Sequence, residues 1–183
     1  MKTLIIIMFV LSLFTAGCSN TTEPDYNNLS SDLVNLDAKQ SIAKANEWRD
    51  SAPKITSHIT QTEVIFDFPD GSVVKKALPD SLFYIAVAPY INTTHECTLH
   101  YPSSCTGELF EKNVKVKAED ENGSIYFDGN IATLKHGFFE IWLPRNRNIT
   151  FTIKYNNLVG EEIVQSMSDS RTCITTIQLK EVF

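Results

Sequence analysis

The feature that most constrains the fold of this 183-residue chain is a succession of short segments in which apolar and polar residues alternate. Such alternation puts the apolar side chains on one face of a β-strand. The strand-like segments cover residues 63–68, 72–76, 113–118, 124–127, 137–143, 149–155, 161–167 and 173–179, and residues 82–91 form a largely apolar run that predicts a buried strand. Turn-forming residues separate most of them, and Pro69-Asp70-Gly71 joins the first two as a hairpin. This pattern is typical of a β-sandwich or an open barrel.

The residues before the hairpin predict one helix over 29–50, because apolar residues recur there at helical spacing. A serine can cap its N-terminus and a proline follows its end. The apolar residues are Leu33, Leu36, Ala43 and Trp48. The capping serine is Ser30 or Ser31, and the proline beyond the end is Pro53. We therefore expect an α+β fold, with a small helix-plus-hairpin N-terminal part over 29–80 and an all-β, sandwich-like C-terminal domain over 81–183.

The N-terminus predicts export. Met1-Lys2 precedes an apolar run over residues 4–14, which is too short to span a bilayer, and Thr15-Ala16-Gly17-Cys18 follows. A cysteine directly after Ala-Gly is typical of bacterial lipoproteins, in which its thiol is acylated. We expect residues 1–17 to be a lipoprotein signal peptide, Cys18 the lipidation site that anchors the protein in the cell envelope, and 18–28 a flexible tether. The alternative is an ordinary secretory signal in which Cys18 has no special role.

The charge balance argues against nucleic acid as a partner. Sixteen basic residues stand against twenty-two acidic ones, and the formal net charge is −6. A chain of this composition offers no obvious basic stripe for a phosphate backbone. An acidic surface suits a protein that handles cations, although this is a weak indication.

Three cysteines remain once Cys18 is assigned to the anchor, and two of them lie beside histidines. His95, Cys97, His100 and Cys105 fall within eleven residues, whereas Cys173 is distant in sequence. An odd number of thiols in an exported protein leaves one unpaired or indicates another use. Cys173 can meet the others only if the last strand packs beside the 95–105 segment.

Several chemistries fit these residues. Three thiolates suit Cu(I), and three thiolates with one histidine suit a tetrahedral Zn²⁺ site. A structural Cys97–Cys105 disulfide is the plain alternative, since seven intervening residues are no specific metal signature. A thiol–disulfide oxidoreductase or redox sensor would use the same two cysteines. Other histidines, His58 and His136, are isolated, and no pattern identifies catalytic residues.

Three motifs nevertheless resemble those of the CueP family of exported bacterial copper-binding proteins. They are His95-Glu-Cys97, Ser104-Cys105-Thr-Gly-Glu108-Leu and Asp169-Ser-Arg-Thr-Cys173-Ile-Thr-Thr176. The resemblance implies Cu(I) binding in the cell envelope through Cys97, Cys105 and Cys173, with His95 and His100 as auxiliary ligands.

The same resemblance implies a physiological setting. Members of the family are associated with copper tolerance and with supplying copper to an envelope Cu,Zn superoxide dismutase. Reduction of Cu(II) and a homodimer formed by the N-terminal part are also attributed to them. We therefore expect a copper-binding protein without an enzymatic activity of its own, apart from a capacity to reduce Cu(II). The lipid anchor departs from the soluble periplasmic members.

Overall fold

The computed structural model describes residues 25–52 and 54–181, which form two helices and eleven strands. The predicted signal peptide, Cys18, most of the predicted tether and Pro53 lie outside these residues. The elements are α1 (Tyr26–Asp32), α2 (Ala38–Ser51), β1 (Thr56–Ile59), β2 (Glu63–Asp67), β3 (Val73–Ala77), β4 (Leu82–Val87), β5 (Asn113–Asp120), β6 (Ile125–Ala132), β7 (Phe139–Pro144), β8 (Asn148–Tyr155), β9 (Leu158–Gln165), β10 (Cys173–Ile174) and β11 (Lys180–Glu181).

The prediction of one helix over 29–50 is wrong, because a second N-cap divides the segment. The Asp37 carboxylate accepts a hydrogen bond from the Gln40 N–H at 2.8 Å, and the Gln40 side chain accepts one from the Asp37 N–H at 3.0 Å. This reciprocal capping box starts α2 anew. Trp48 is buried as expected, whereas Ala43 is exposed and Ile42 takes its place on the buried face of α2. Helix α1 begins at Tyr26, so the last three residues of the predicted tether are helical.

The predicted hairpin is confirmed as β2 and β3, whose register pairs Glu63 with Ala77 and Asp67 with Val73. At its tip the Gly71 N–H donates to the Phe68 carbonyl at 2.9 Å, and Gly71 has φ of +86°, a conformation that favours glycine. Strand β1, which the sequence pattern did not predict, pairs antiparallel with β2 and completes a three-stranded sheet. Helix α2 packs on this sheet, with the Trp48 ring 5.8 Å from that of Phe66.

The remaining strands form two further sheets. A central sheet has the order β10-β4-β7, with β10 parallel to β4, and a five-stranded sheet has the order β11-β9-β8-β5-β6. The strand predicted over 173–179 is therefore interrupted. Only Cys173 and Ile174 pair with β4, and the chain then crosses to the edge of the five-stranded sheet as β11.

Strand β4 is buried on both faces and belongs to two hydrophobic cores. Tyr84 and Ala86 face the core formed with the helices and the first sheet, while Phe83 and Ile85 face the core formed with the five-stranded sheet. The α+β class, with a mostly β C-terminal part, is confirmed. Neither described helix combines the length and apolarity that crossing a membrane requires.

Candidate metal centre

The long β4–β5 connection and strand β10 bring the candidate ligands together. His95, Cys97, His100 and Cys105 lie on this connection, and β10 places Cys173 beside Ala86 of β4. The Thr172 N–H donates to the Thr98 carbonyl at 3.0 Å, so the last strand does pass along the loop that carries the other cysteines.

The five predicted side chains form two overlapping groups that share Cys105. The ligand atoms of His95, Cys97 and Cys105 all lie within 4.8 Å of one another, as do those of His100, Cys105 and Cys173. The Cys97 and Cys105 sulfurs are 3.5 Å apart, and all three cysteines are free thiols. The structure thus brings together thiols from two segments that are distant in sequence.

The two groups differ in burial. His95 is exposed and Cys97 is half-buried, whereas Cys173 is fully buried and His100 is only 3% exposed. The His100 ring packs against Phe138, with 4.7 Å between the ring centroids. Its Nδ1 is buried without a hydrogen-bond partner among the described residues. A buried nitrogen of this kind is costly unless it gains a partner, and a soft metal ion is one.

The thiols influence each other's protonation strongly. Hydrogen bonds from Cys173 and Cys97 lower the pKa of Cys105. Hydrogen bonds from His100 and from the Tyr101 N–H at 3.4 Å lower it further. The hydrogen bond to Cys105 raises the pKa of Cys97 to about 12, and the same neighbour raises that of Cys173. Among the three thiols, Cys105 is therefore the one that loses its proton most readily.

Arg49, near the C-terminus of α2, holds the segment that carries Cys105. Its guanidinium donates to the Cys105 carbonyl, to the Ser104 carbonyl at 3.2 Å and to the Thr106 Oγ1 at 2.7 Å. A planar guanidinium suits such a fork of acceptors. Burial lowers the pKa of Arg49. The position of the Cys105 backbone thus depends on Arg49 of α2, more than fifty residues away in sequence.

Two threonines tie β10 to the ligand loop. The Thr172 hydroxyl accepts from the His100 N–H at 3.0 Å and donates to the Ile59 carbonyl at 2.7 Å. The Thr175 hydroxyl donates to the His95 carbonyl at 2.6 Å. The residues that flank Cys173 therefore fix the backbone at both histidines.

The base of the loop is closed by Glu108 and by a contact between two glycines. The Glu108 carboxylate accepts from the Ile91 N–H at 2.6 Å and the Asn92 N–H at 2.9 Å, and these bonds lower its pKa despite some desolvation. A Cβ on Gly107 would lie 2.5 Å from the Gly137 carbonyl oxygen, so a side chain has no room there. Both contacts hold the chain within three residues of Cys105.

Sequence reasoning missed these supporting residues to different degrees. Glu108, Thr172 and Thr175 lie inside the motifs that carry the family resemblance, so their presence there was a usable signal. Arg49 lies on a helix without any such motif, and only the fold reveals its role. Of the isolated histidines, His58 stacks on Tyr101, and His136 lies 3.5 Å from the Asp50 carboxylate. Neither belongs to the two ligand groups.

Two hollows border the cluster and are lined by different candidate ligands. His95, Cys97, Thr98 and Arg171 line a polar one, and an apolar one of about 320 Å³ is lined by His100, Cys105, Leu134, His136 and Phe138 among others. Thiolates and imidazoles bind copper and zinc ions in preference to magnesium or calcium ions. The arrangement is therefore suited to a soft metal ion.

Comparisons with known proteins point to one of these metals. The family model described as periplasmic copper-binding protein CueP matches residues 40–178. A crystal structure described as that of S.CueP is similar to this chain, with a TM-score of 0.76 and 28% identity, over 85% of this chain and 96% of that one. No curated protein matches significantly.

Proposed function

The chain belongs to the CueP family of periplasmic copper-binding proteins, and from this premise we propose that it binds Cu(I) through Cys97, Cys105 and Cys173. The observation that carries the proposal is the position of Cys105, whose sulfur lies within 4.8 Å of the sulfurs of both Cys97 and Cys173. Cu(I) is the copper ion that thiolates favour, and low coordination numbers suit three sulfurs with neighbouring imidazoles.

Zinc is the alternative metal for the same donors, because a fourth ligand from His95 or His100 would complete a tetrahedron. Two properties favour copper. The family is a copper-binding one, and His95 and His100 fall in separate groups that share only Cys105 instead of completing a single four-ligand set.

The direct test is a titration of the reduced protein with Cu(I) against a chromophoric chelator of known affinity, repeated with Zn²⁺. We expect one tightly bound Cu(I) ion, with clearly weaker binding in Cys105→Ser and Cys173→Ser and a smaller loss in Cys97→Ser, whose thiol is only half-buried. The loss should be largest for Cys105→Ser, by more than about 100-fold, since removing even a group that merely supports a ligand costs about 10–100-fold in affinity. Affinity should also fall as the pH falls, because protons compete with copper for the thiols. The proposal fails if the three serine variants bind Cu(I) as tightly as the wild-type protein.

A thiol–disulfide function is the second candidate, and one observation favours it. The Cys97 and Cys105 sulfurs are 3.5 Å apart, and a substrate disulfide attacked by one of them would be released, reduced, when the other closes the Cys97–Cys105 disulfide. Mass spectrometry of the metal-free, non-reduced protein separates the candidates. A Cys97–Cys105 disulfide that turns over with a mixed-disulfide substrate and ignores copper would favour redox chemistry.

We further propose that the protein contributes to copper tolerance and supplies copper to an envelope Cu,Zn superoxide dismutase. It would reduce two Cu(II) ions with the two electrons released when a pair of its thiols joins as a disulfide, form a homodimer through its N-terminal part and be anchored by acylated Cys18. Family membership and the sequence at residues 15–18 support these roles. The test is complementation of a deletion strain with wild-type protein or Cys18→Ser. Wild-type protein should restore copper tolerance and dismutase activity, and Cys18→Ser should move from the membrane fraction to the soluble one.

A further inference from the structure

The two ligand groups of the metal centre lie at different depths. The outer set consists of exposed His95, half-buried Cys97 and Cys105, and the inner set of buried His100, Cys173 and Cys105. Cys105 alone belongs to both. A site built only to store copper would need one set, so the second set requires an explanation.

Each set has the dimensions of a three-coordinate site. A metal ion about 2.3 Å from each of three donors, the usual metal–thiolate length, holds those donors about 4 Å apart. The ligand atoms within each set already lie within 4.8 Å of one another. Either set can therefore close on an ion through small side-chain movements, whereas the described residues do not offer all five atoms as one such group.

The surroundings of the two sets also differ. The outer set borders the polar hollow, where Glu96 and Arg171 stand beside the ligands. The inner set contains His100, whose Nδ1 has no hydrogen-bond partner among the described residues, and its backbone is fixed by Thr172 and by the parallel pairing of β10 with β4. The outer set is thus accessible to an incoming ligand from the polar hollow, whereas His100 and Cys105 of the inner set border only the apolar hollow.

We infer that one Cu(I) ion moves between these positions: the inner set holds it, and the outer set presents it to an acceptor. This rests on the proposed Cu(I) function. The ion stays Cu(I) and keeps its bond to the Cys105 sulfur throughout. Its bonds to Cys173 and His100 break as bonds to Cys97 and His95 form.

Protons balance in this exchange, since the thiol proton that Cys97 releases is taken up by the departing Cys173 thiolate. At the surface a thiolate or imidazole of the acceptor displaces His95 first, because that ligand is the most exposed one. The acceptor is therefore a protein or chelator with soft donors that fit the polar hollow.

The experiment measures equilibrium affinity and the rate of Cu(I) transfer to an excess of bicinchoninate as separate quantities. His95→Ala should slow transfer by about tenfold or more while changing affinity less than about threefold, because it weakens only the outer set. His100→Gln should lower affinity by about tenfold or more and speed transfer. Asp80→Asn, at an exposed position that belongs to neither set and lines neither hollow, is the control and should change neither quantity.

Cys173→Ser is the second inner-set variant, in case a change at buried His100 impairs folding. X-ray absorption at the copper edge should find two sulfurs and one imidazole nitrogen around copper in both Cys173→Ser and Cys97→Ser. Transfer should be fast from Cys173→Ser, which keeps only the outer set, and slow from Cys97→Ser, which keeps only the inner set. Equal transfer from His95→Ala and wild-type protein overturns the inference, and so does simultaneous binding of two Cu(I) ions.

Leu134→Trp, which fills the apolar hollow, should leave the rate of Cu(I) transfer unchanged. Slower transfer from this variant would mean that copper leaves through the apolar hollow, which would contradict the role of the outer set. All these failures leave tight Cu(I) binding intact, so they are distinguishable from failure of the proposed function.

Discussion

At the scale of single residues, Cys105 is the centre of the cluster, because its sulfur lies within 4.8 Å of the ligand atoms of both histidines and both other cysteines. Cys97, Cys105 and Cys173 stand out because thiols are few and their motifs are specific, and the structure brings them together. The division of the histidines was not predictable, because it depends on which side of Cys105 each ring occupies. His95 and His100 lie in the same short segment, yet one is exposed and the other is buried.

Arg49 supports a prediction at this scale. Replacing it with glutamine removes the fork that holds the backbone of residues 104–106, so Cys105 loses its fixed position. We expect Cu(I) affinity to fall by about tenfold, in the range found for groups that orient metal ligands. Competition titration measures the change.

The control is Lys44→Gln on the same helix, which removes only a surface ion pair with Glu47 at 2.9 Å. Surface pairs contribute about 0–1 kcal/mol, so this variant should bind Cu(I) normally. Identical affinities for the two variants would show that the guanidinium does not position Cys105.

At the scale of elements, local pattern predicted what local interactions determine. The β2–β3 hairpin and most strands of the large sheet follow from alternation and turn residues. Strand β1 and the interruption after Ile174 do not, since they depend on partners distant in sequence. Residues 56–59 become a strand because β2 lies beside them, and the last strand breaks because the chain must change sheets. The missed capping box at Asp37 was readable, because aspartate and glutamine stand three residues apart.

Thr172 supports a prediction at this scale, because its hydroxyl links three elements. Thr172→Val leaves the His100 N–H and the Ile59 carbonyl without this buried partner. Unpaired buried groups cost about 1–3 kcal/mol each, so we expect the free energy of unfolding to fall by about 2 kcal/mol, with weaker Cu(I) binding. Urea denaturation of the reduced apoprotein measures the first effect.

Two comparisons make this result specific. Thr172→Ser keeps the hydroxyl and should retain most of the stability, whereas Thr176→Val removes only an exposed bond to Glu162 and should change unfolding by less than about 0.5 kcal/mol. A valine variant at 172 as stable as the one at 176 would mean that the three elements are held together by other contacts.

At the scale of the whole molecule, the position of β4 bears on the predicted boundary between residues 80 and 81. Its Tyr84 side completes the first core and its Ile85 side completes the second. The metal centre lies where these layers meet, because Cys173 is held against β4 while Arg49 reaches the ligand loop from α2. We therefore expect the described part of the chain to unfold as one cooperative unit, with the metal centre lost in the same transition.

Ile85→Ala tests this cooperativity. The side chain is fully buried and contributes to the second core, and its truncation should lower the free energy of unfolding by about 2–5 kcal/mol. In a Trp142→Phe background the fluorescence of Trp48 reports on the first core alone, since the chain has two tryptophans. If β4 couples the cores, the Trp48 transition shifts as far as the far-ultraviolet circular dichroism transition does.

Ile163→Ala, at a side chain 65% exposed, is the control and should shift neither transition. A Trp48 transition unmoved by Ile85→Ala would instead mean two independent folding units divided near residue 80, and bound Cu(I) would then protect only one of them.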